Sequence, residues 1–367
     1  MRETENVLHG TELLELRLRS LYERYGYRKY KMSRFEEYSL YLENRNFLKS
    51  DRVITFTDDR GKLLAMKPDI TLSIVKSAAA DGASERVYYS ENIFRAASGS
   101  AEMREMRQVG LEYIGRVDLY AESEVLILAL ESLAAVGRDH IMGITHLGLV
   151  TGLLDATELP EREKASISRL IGQKNAHEIA ALCAACGVGP TLSEKLCALA
   201  SIYGTFPETR DALRNLVVNK ATESAVAELC ELYSILQAAG YGDALRVDFS
   251  IVNDLSYYNG ITFQGFVEGI PESVLSGGRY DNLLQRMGKG GAALGFAVYM
   301  DELERLEAAE SLPDTDILFI YPENAPAAEI AKAMRELTCR GRVYAATEPP
   351  AQMTYRELVE WKGEAAK

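Results

Sequence analysis

Apolar positions recur at helical spacing early in the chain. Leu13, Leu14, Leu16, Leu18, Leu21 and Tyr22 stand between charges over residues 10–25, an amphipathic helix that Gly26 ends. Residues 27–48 are mixed. Two short apolar segments, 53–56 and 63–66, flank Thr57-Asp58-Asp59-Arg60-Gly61, the signature of a hairpin. Pro68 breaks the second segment, and a helix is expected over residues 71–80. Strands follow at 86–89 and 108–114, then a strongly apolar helix at 120–137 and a strand at 141–147. From about 152 to 243 the pattern is helical, punctuated by Pro160, Gly187-Val188-Gly189-Pro190 and Pro207, and reads as an insertion in a mixed chain. Period-two alternation returns at Leu245, Val247, Phe249 and Ile251, followed by a run at 261–267. Beyond Pro313 the order is strand 317–321, helix 326–340, strand 342–346. The expected division is therefore 1–312, carrying the insertion, and a short α/β segment at 313–367.

Composition narrows the function classes. With 367 residues, 47% hydrophobic and 26% charged, the chain has the balance of a soluble globular protein of two or three domains. Lys plus Arg is 41 against 54 Asp plus Glu, a net charge of -13, which opposes an extended nucleic-acid footprint. The N-terminal stretch is polar, and the longest apolar run, 125–136, is interrupted by Glu131. Neither a secretory signal nor a membrane span is expected. Five cysteines form an odd set without disulfide-scaffold spacing, and the expected compartment is the cytoplasm.

Three segments hold candidate chemistry. In a strand, Gln108, Gly110 and Glu112 share one face, while Val109, Leu111 and Tyr113 share the other. A small ligand fits over Gly110 between an amide and a carboxylate; the same pattern also describes a polar face turned to solvent. Asn253-Asp254-Leu255-Ser256-Tyr257-Tyr258-Asn259-Gly260 and Ser276-Gly277-Gly278-Arg279-Tyr280-Asp281 follow, and the glycine pair permits close backbone approach. The later Gly288-Lys289-Gly290-Gly291 lacks the spacing and the terminal Lys-Ser/Thr of a P-loop.

In order along residues 8–305, these segments resemble the histidyl-tRNA synthetases. Asn92-Ile93-Phe94-Arg95 with Arg107-Gln108-Val109-Gly110-Leu111-Glu112 is similar to their motif 2. Leu255-Ser256-Tyr257-Tyr258-Asn259-Gly260 and Gly277-Gly278-Arg279-Tyr280-Asp281 resemble the two histidine-specific motifs. Lys67-Pro68-Asp69-Ile70-Thr71 resembles the Arg-Pro-Glu-Gly-Thr segment, and Gly295-Phe296-Ala297 opens motif 3. The resemblance implies an α+β fold with a class II aminoacyl-tRNA synthetase-like core: a mixed, mostly antiparallel sheet of six or seven strands flanked by helices. A helical insertion and a short α/β C-terminal remnant complete the expectation. It also implies a histidine-like pocket formed by Asp69, Thr71, Gln108, Glu112, Tyr257, Tyr258 and Tyr280. Asp69 and Gln108 would hold the α-amino group, and Glu112 the imidazole N–H.

The departures from the family bear on activity. The catalytic arginine falls at Asn253, the ATP-associated glutamate of motif 2 at Ala97, and the ATP-binding arginine of motif 3 at Glu302. Adenylation develops charge on a pentavalent phosphate that fixed arginines stabilise, and losing one such partner typically costs about 100- to 1000-fold. The C-terminal remnant carries more carboxylates than cations. Together these features resemble the regulatory subunits of ATP phosphoribosyltransferase, synthetase-like chains without catalysis of their own. Members of that family assemble with the short-form catalytic subunit, activate it, and confer sensitivity to L-histidine in the first step of histidine biosynthesis. No cofactor and no metal are implied, and self-association as a dimer is expected through the first helix and residues 30–48. A divergent histidyl-tRNA synthetase, and a histidine-sensing protein with another partner, are the alternatives. Cys183 and Cys186 lie in an apolar helix without a second ligand pair. The run from Arg24 to Arg34 reads as a solvated helix end, with an acidic partner as the alternative.

Overall fold

The computed structural model describes residues 10–48, 52–79, 84–96, 102–252, 257–309 and 313–361. Asn253 and Ala97 lie outside the described residues. The chain forms two compact units, Met1–Leu306 and Glu307–Lys367.

Helix α1 (Gly10–Arg24) buries Leu14, Leu18, Leu21 and Tyr22, one face at helical spacing, and Gly26 turns the chain away at φ +82°. Strands β1 (Arg28–Lys29) and β2 (Phe35–Glu37) lead into α2 (Tyr38–Glu43). The hairpin joins β3 (Thr55–Thr57) to β4 (Leu63–Met66), and the Asp58 carboxylate accepts the N–H groups of Arg60 and Lys62 in its turn. Asp69 caps α3 (Thr71–Ser77) by accepting the Leu72 N–H at 2.9 Å. Strands β5 (Glu85–Ala96) and β6 (Met103–Gly115) pair along their whole lengths. They extend well beyond the apolar cores at 86–89 and 108–114, because cross-strand pairing carries polar residues such as Asn92 and Arg104 that show no alternation.

Helix α4 (Leu119–Ala134) is buried nearly all round, Glu122 and Glu124 included. It precedes β7 (His140–His146) and the helical block α5 (Leu147–Asp155), α6 (Glu161–Gly172), α7 (Ala176–Ala185), α8 (Pro190–Ser201), α9 (Phe206–Asn215) and α10 (Lys220–Ala238). A two-residue strand β8 (Tyr203–Gly204) interrupts it. Strand β9 (Leu245–Asp248) is shorter than the alternation to Ile251 predicts. The Asp248 carboxylate accepts the Ser250 N–H and winds Phe249–Ile251 into a 3-10 turn. The unit closes with β10 (Ile261–Val267), β11 (Leu275–Arg279), α11 (Asp281–Arg286), β12 (Ala292–Tyr299) and α12 (Met300–Ala309).

The main sheet has nine strands in the order β1-β5-β6-β12-β11-β10-β7-β9-β8. Pairing is parallel at β1/β5 and β7/β9 and antiparallel elsewhere. The two strands beyond the expected seven are the two-residue edges β1 and β8, too short to leave a sequence pattern. Strands β2, β4 and β3 form a separate antiparallel sheet. The class II synthetase-like α+β architecture is the one observed.

In the second unit β13 (Thr315–Ile320), α13 (Ala327–Thr338) and β14 (Val343–Ala346) form the anticipated β-α-β unit, cored by Ile317, Phe319 and Leu337. A third strand, β15 (Tyr355–Glu360), pairs parallel to the free side of β13. Its sequence, Tyr-Arg-Glu-Leu-Val-Glu, is too polar to be recognised in advance. No described helix is long and apolar enough to cross a membrane.

Candidate functional site

Strand register brings the candidate residues together. In the ladder of β6 with β12, Glu112 lies opposite Gly295, Gly110 opposite Ala297, and Gln108 opposite Tyr299. On the other side of β6, Tyr89 stands opposite Gly110. A side chain at position 295 would overlap Glu112 Oε2, so the glycine there leaves the carboxylate room to lie across the sheet. The reading of residues 108–112 as a solvent-facing strand is excluded, since Gln108 is 7% and Glu112 2% exposed.

Asp69, Thr71, Gln108, Glu112, Tyr257, Tyr258 and Tyr280 all line one narrow cleft. Glu112 is its chemical centre. Thr71 donates to Oε1 at 2.8 Å and Tyr280 to Oε2 at 2.5 Å. Burial pushes the Glu112 carboxyl up to about 8, against the pull of the Tyr280 and Thr71 donors, and nearby Asp69 adds to the rise. At that value Glu112 is mostly protonated at neutral pH. Tyr257 forms the hub of an aromatic wall, with ring centroids 4.6 Å from Tyr258, 5.8 Å from Tyr280 and 5.9 Å from Phe47. Burial raises the Tyr257 and Tyr280 hydroxyls well above their usual range, so both remain hydrogen-bond donors.

One Asp69 oxygen is already engaged at the start of α3, which fixes the orientation of the carboxylate. Alongside Gln108 on β5 stands Glu91, paired at 3.1 Å with the fully buried Lys67. This ion pair anchors the Lys67-Pro68-Asp69 segment against the sheet. Glu302, in the first turn of α12, forms an ion pair with Arg305 at 2.7 Å and is not among the residues lining the cleft.

The cleft also takes in Tyr89, Arg95, Ser276, Phe296 and Tyr299, which the sequence did not single out as ligand contacts. Tyr89 and Arg95 lie on one face of β5, opposite Gly110 and Arg104 of β6, a placement visible only once the β5/β6 register is known. The Ser276 and Tyr299 hydroxyls hydrogen-bond each other across β11 and β12. Arg95 is the single cation among the described lining residues, set against the carboxyls of Asp69 and Glu112. The arrangement suits a small zwitterion or a ligand presenting N–H donors. Among the described residues no group of three His, Cys, Asp or Glu side chains is placed to hold a metal ion. Cys183 is buried in α7 and Cys186 exposed at its end.

A model of the histidyl-tRNA synthetase family matches residues 7–303. The ATP phosphoribosyltransferase regulatory subunit of Alkaliphilus metalliredigens is 31% identical over 304 residues, 81% of this chain and 76% of that protein. Among solved structures, an ATP phosphoribosyltransferase regulatory subunit/histidyl-tRNA synthetase from Bacillus halodurans aligns with TM-score 0.77 at 23% identity, covering 95% of this chain and 93% of that one. A chain of an ATP phosphoribosyl transferase (HisG:HisZ) complex from Thermotoga maritima aligns with TM-score 0.62 at 19% identity, covering 79% and 97%. At those identities the two structures speak for the fold. Model, sequence relative and fold agree: this chain belongs to the histidyl-tRNA synthetase-like family of ATP phosphoribosyltransferase regulatory subunits.

Proposed function

We propose that this chain is a regulatory subunit without catalysis of its own. It assembles with a short-form ATP phosphoribosyltransferase catalytic chain, activates it, and contributes histidine feedback inhibition. The reading rests on one contrast. The seven residues expected of an amino-acid pocket share one cleft, while the three positions tied to ATP chemistry read Asn253, Ala97 and Glu302. Without the arginines expected at Asn253 and Glu302, Arg95 is the one cation among the described lining residues left to face a developing pentavalent phosphate. L-histidine is the ligand proposed for the cleft. The Glu112 carboxylate takes an imidazole N–H, the Tyr258 ring forms a wall, and Asp69 and Gln108 hold the α-amino group. Self-association through α1 and residues 30–48 belongs to the same proposal.

The test is reconstitution with the short catalytic chain of the same genome, following turnover of ATP and phosphoribosyl pyrophosphate with and without histidine. A large rate increase that histidine suppresses is expected. Absence of activation, together with histidine-dependent ATP–pyrophosphate exchange by this chain alone, would overturn the reading in favour of a divergent synthetase.

A further inference from the structure

Small residues pave the sheet beneath the cleft, and one large side chain breaks the series. Where β6, β12 and β11 run side by side, Glu112, Gly295 and Gly278 form one row on the cleft face, and Gly110, Ala297 and Ser276 the next. The third row sets Tyr299 opposite Gln108. Tyr299 does not stand upright in that row. Its hydroxyl is hydrogen-bonded to Ser276, which lies one strand over and one row back toward Glu112. Two residues of strand advance about 6.6 Å, comparable to the reach of a tyrosine side chain, so the ring lies along the sheet over the seam of β12 and β11. The backbone under it is fixed as well, its N–H donating to the Val274 carbonyl at 2.8 Å.

The middle row is covered from the other edge too. A side chain at Gly110 would begin 2.6 Å from the Tyr89 hydroxyl, so Tyr89 reaches over that glycine from β5. The depth of the cleft is therefore beside Glu112, and Tyr299 closes the end beyond Gln108. With the imidazole at Glu112 and the α-amino group at Gln108, the α-carbon of the ligand lies at that closed end. Its carboxylate then comes toward Arg95, which stands on β5 beyond the third row, opposite Arg104.

We propose that Tyr299, anchored by Ser276, is the specificity residue of the cleft: it bars the space beyond the α-carbon, so the site takes an amino acid with a free carboxylate and rejects one extended through that carboxyl by a bulky ester, amide or acyl-phosphate group. The inference deepens the histidine reading of the cleft and rests on it. Rejection is by overlap with the ring rather than by charge, since a large group on the carboxyl has to lift the ring from the sheet and break its bond to Ser276. The same closure separates sensing from activation, because an amino acid activated on its carboxyl carries the excluded bulk.

The test separates size from charge. L-Histidinamide and L-histidine β-naphthylamide both lack the carboxylate and differ in the bulk beyond it. Calorimetry gives the affinity of the full chain for L-histidine and for each amide, in wild type and in Tyr299→Ala. Wild type is expected to bind the naphthylamide at least about 10-fold more weakly than the small amide, and in Tyr299→Ala that gap is expected to shrink to about threefold or less. A tyrosine that merely filled the sheet would shift all three affinities alike. Ser276→Ala leaves the ring but removes its anchor, so it narrows the gap in the same direction and serves if Tyr299→Ala does not fold. With L-histidine bound by both proteins, a wild type that accepts both amides equally, or a variant that keeps the full gap, would overturn the role of Tyr299 alone. Histidine bound by both and neither amide by either would make the carboxylate charge the discriminator and overturn it equally. Histidine bound by neither protein would overturn the reading of the cleft, and the role of Tyr299 with it.

Discussion

Replacing Glu112 by glutamine isolates the electrostatics of the cleft. Glutamine keeps the shape and both partners: its carbonyl accepts from one of Thr71 and Tyr280, and its amide donates to the other's oxygen. It removes the titration. A carboxyl held at about 8 in the folded chain and near 4.5 when unfolded binds one extra proton in the folded state across that interval. A raised value means stability that is complete below about pH 4.5 and is lost as pH climbs to 8. At 1.36 kcal/mol per unit, the span of about 3.5 units corresponds to a loss on the order of 4 to 5 kcal/mol. Measured as the difference between variant and wild type, the contributions of Glu122 and every other shared group cancel. The two chains are therefore expected to be nearly equal in stability at pH 5, with Glu112→Gln more stable by several kcal/mol at pH 8 to 9. Urea unfolding followed by far-UV circular dichroism reads the difference as a midpoint shift of about 1 M or more. Tryptophan fluorescence would not serve, because Trp361, the sole tryptophan, packs in the second unit. A stability difference independent of pH, or one favouring wild type at high pH, would refute the buried, protonated Glu112.

Three further outcomes follow from the same geometry. Because Glu112 must ionise before it can accept an imidazole N–H as a carboxylate, histidine affinity should rise about fivefold from pH 7 to 8, with release of nearly one proton at pH 7 and about half a proton at pH 8. Calorimetry in two buffers of different ionisation enthalpy counts that proton, and a pH-independent affinity would contradict the assignment. Gly295→Ala places a methyl group on Glu112 Oε2, so it should abolish histidine binding by calorimetry while costing about 1–3 kcal/mol of stability. Asn253→Arg restores one arginine but leaves Ala97 and Glu302, so the variant is expected to show no histidine-dependent ATP–pyrophosphate exchange.

What could be read from the chain beforehand depended on where the physics is local. Strand Ile261–Val267 was legible because its apolar residues and their flanking turns lie within one short stretch. The hairpin at 55–66 was legible because Asp58 and Gly61 carry the turn themselves. The reach of β5 and β6 was not, since residues such as Asn92 and Arg104 are in strand only through pairing with each other's neighbours. The cleft divides in the same way. Glu112 and Gln108 declare themselves by period two and by motif, whereas Tyr89 and Tyr299 become wall residues only through register with β6. The cluster around Glu122 left no mark at all. An acidic residue in an apolar helix looks like a solvated position until Arg279, far along the chain, arrives at the end of β11 to pair with it.

Two adjacent residues link these sites. Side chains alternate across a strand, and the end of β11 uses that alternation to send Arg279 toward Glu122 and Tyr280 toward Glu112. Each of the two acids is buried, and each is held above its ordinary range mainly by that burial. A synthetase needs its arginines fixed over the substrate phosphates, and such a site gains from rigidity. The Glu112 carboxyl, by contrast, is raised to about 8 by burial, close enough to neutrality that a modest interaction decides its charge. A ligand that takes the Glu112 carboxylate must rearrange the Tyr280 hydroxyl bonded to it, and Tyr280 shares a peptide bond with Arg279, which pairs with Glu122 and Asp281. A change at the Tyr280 hydroxyl thus has a route of one peptide unit to the Arg279 ion pairs with Glu122 and Asp281.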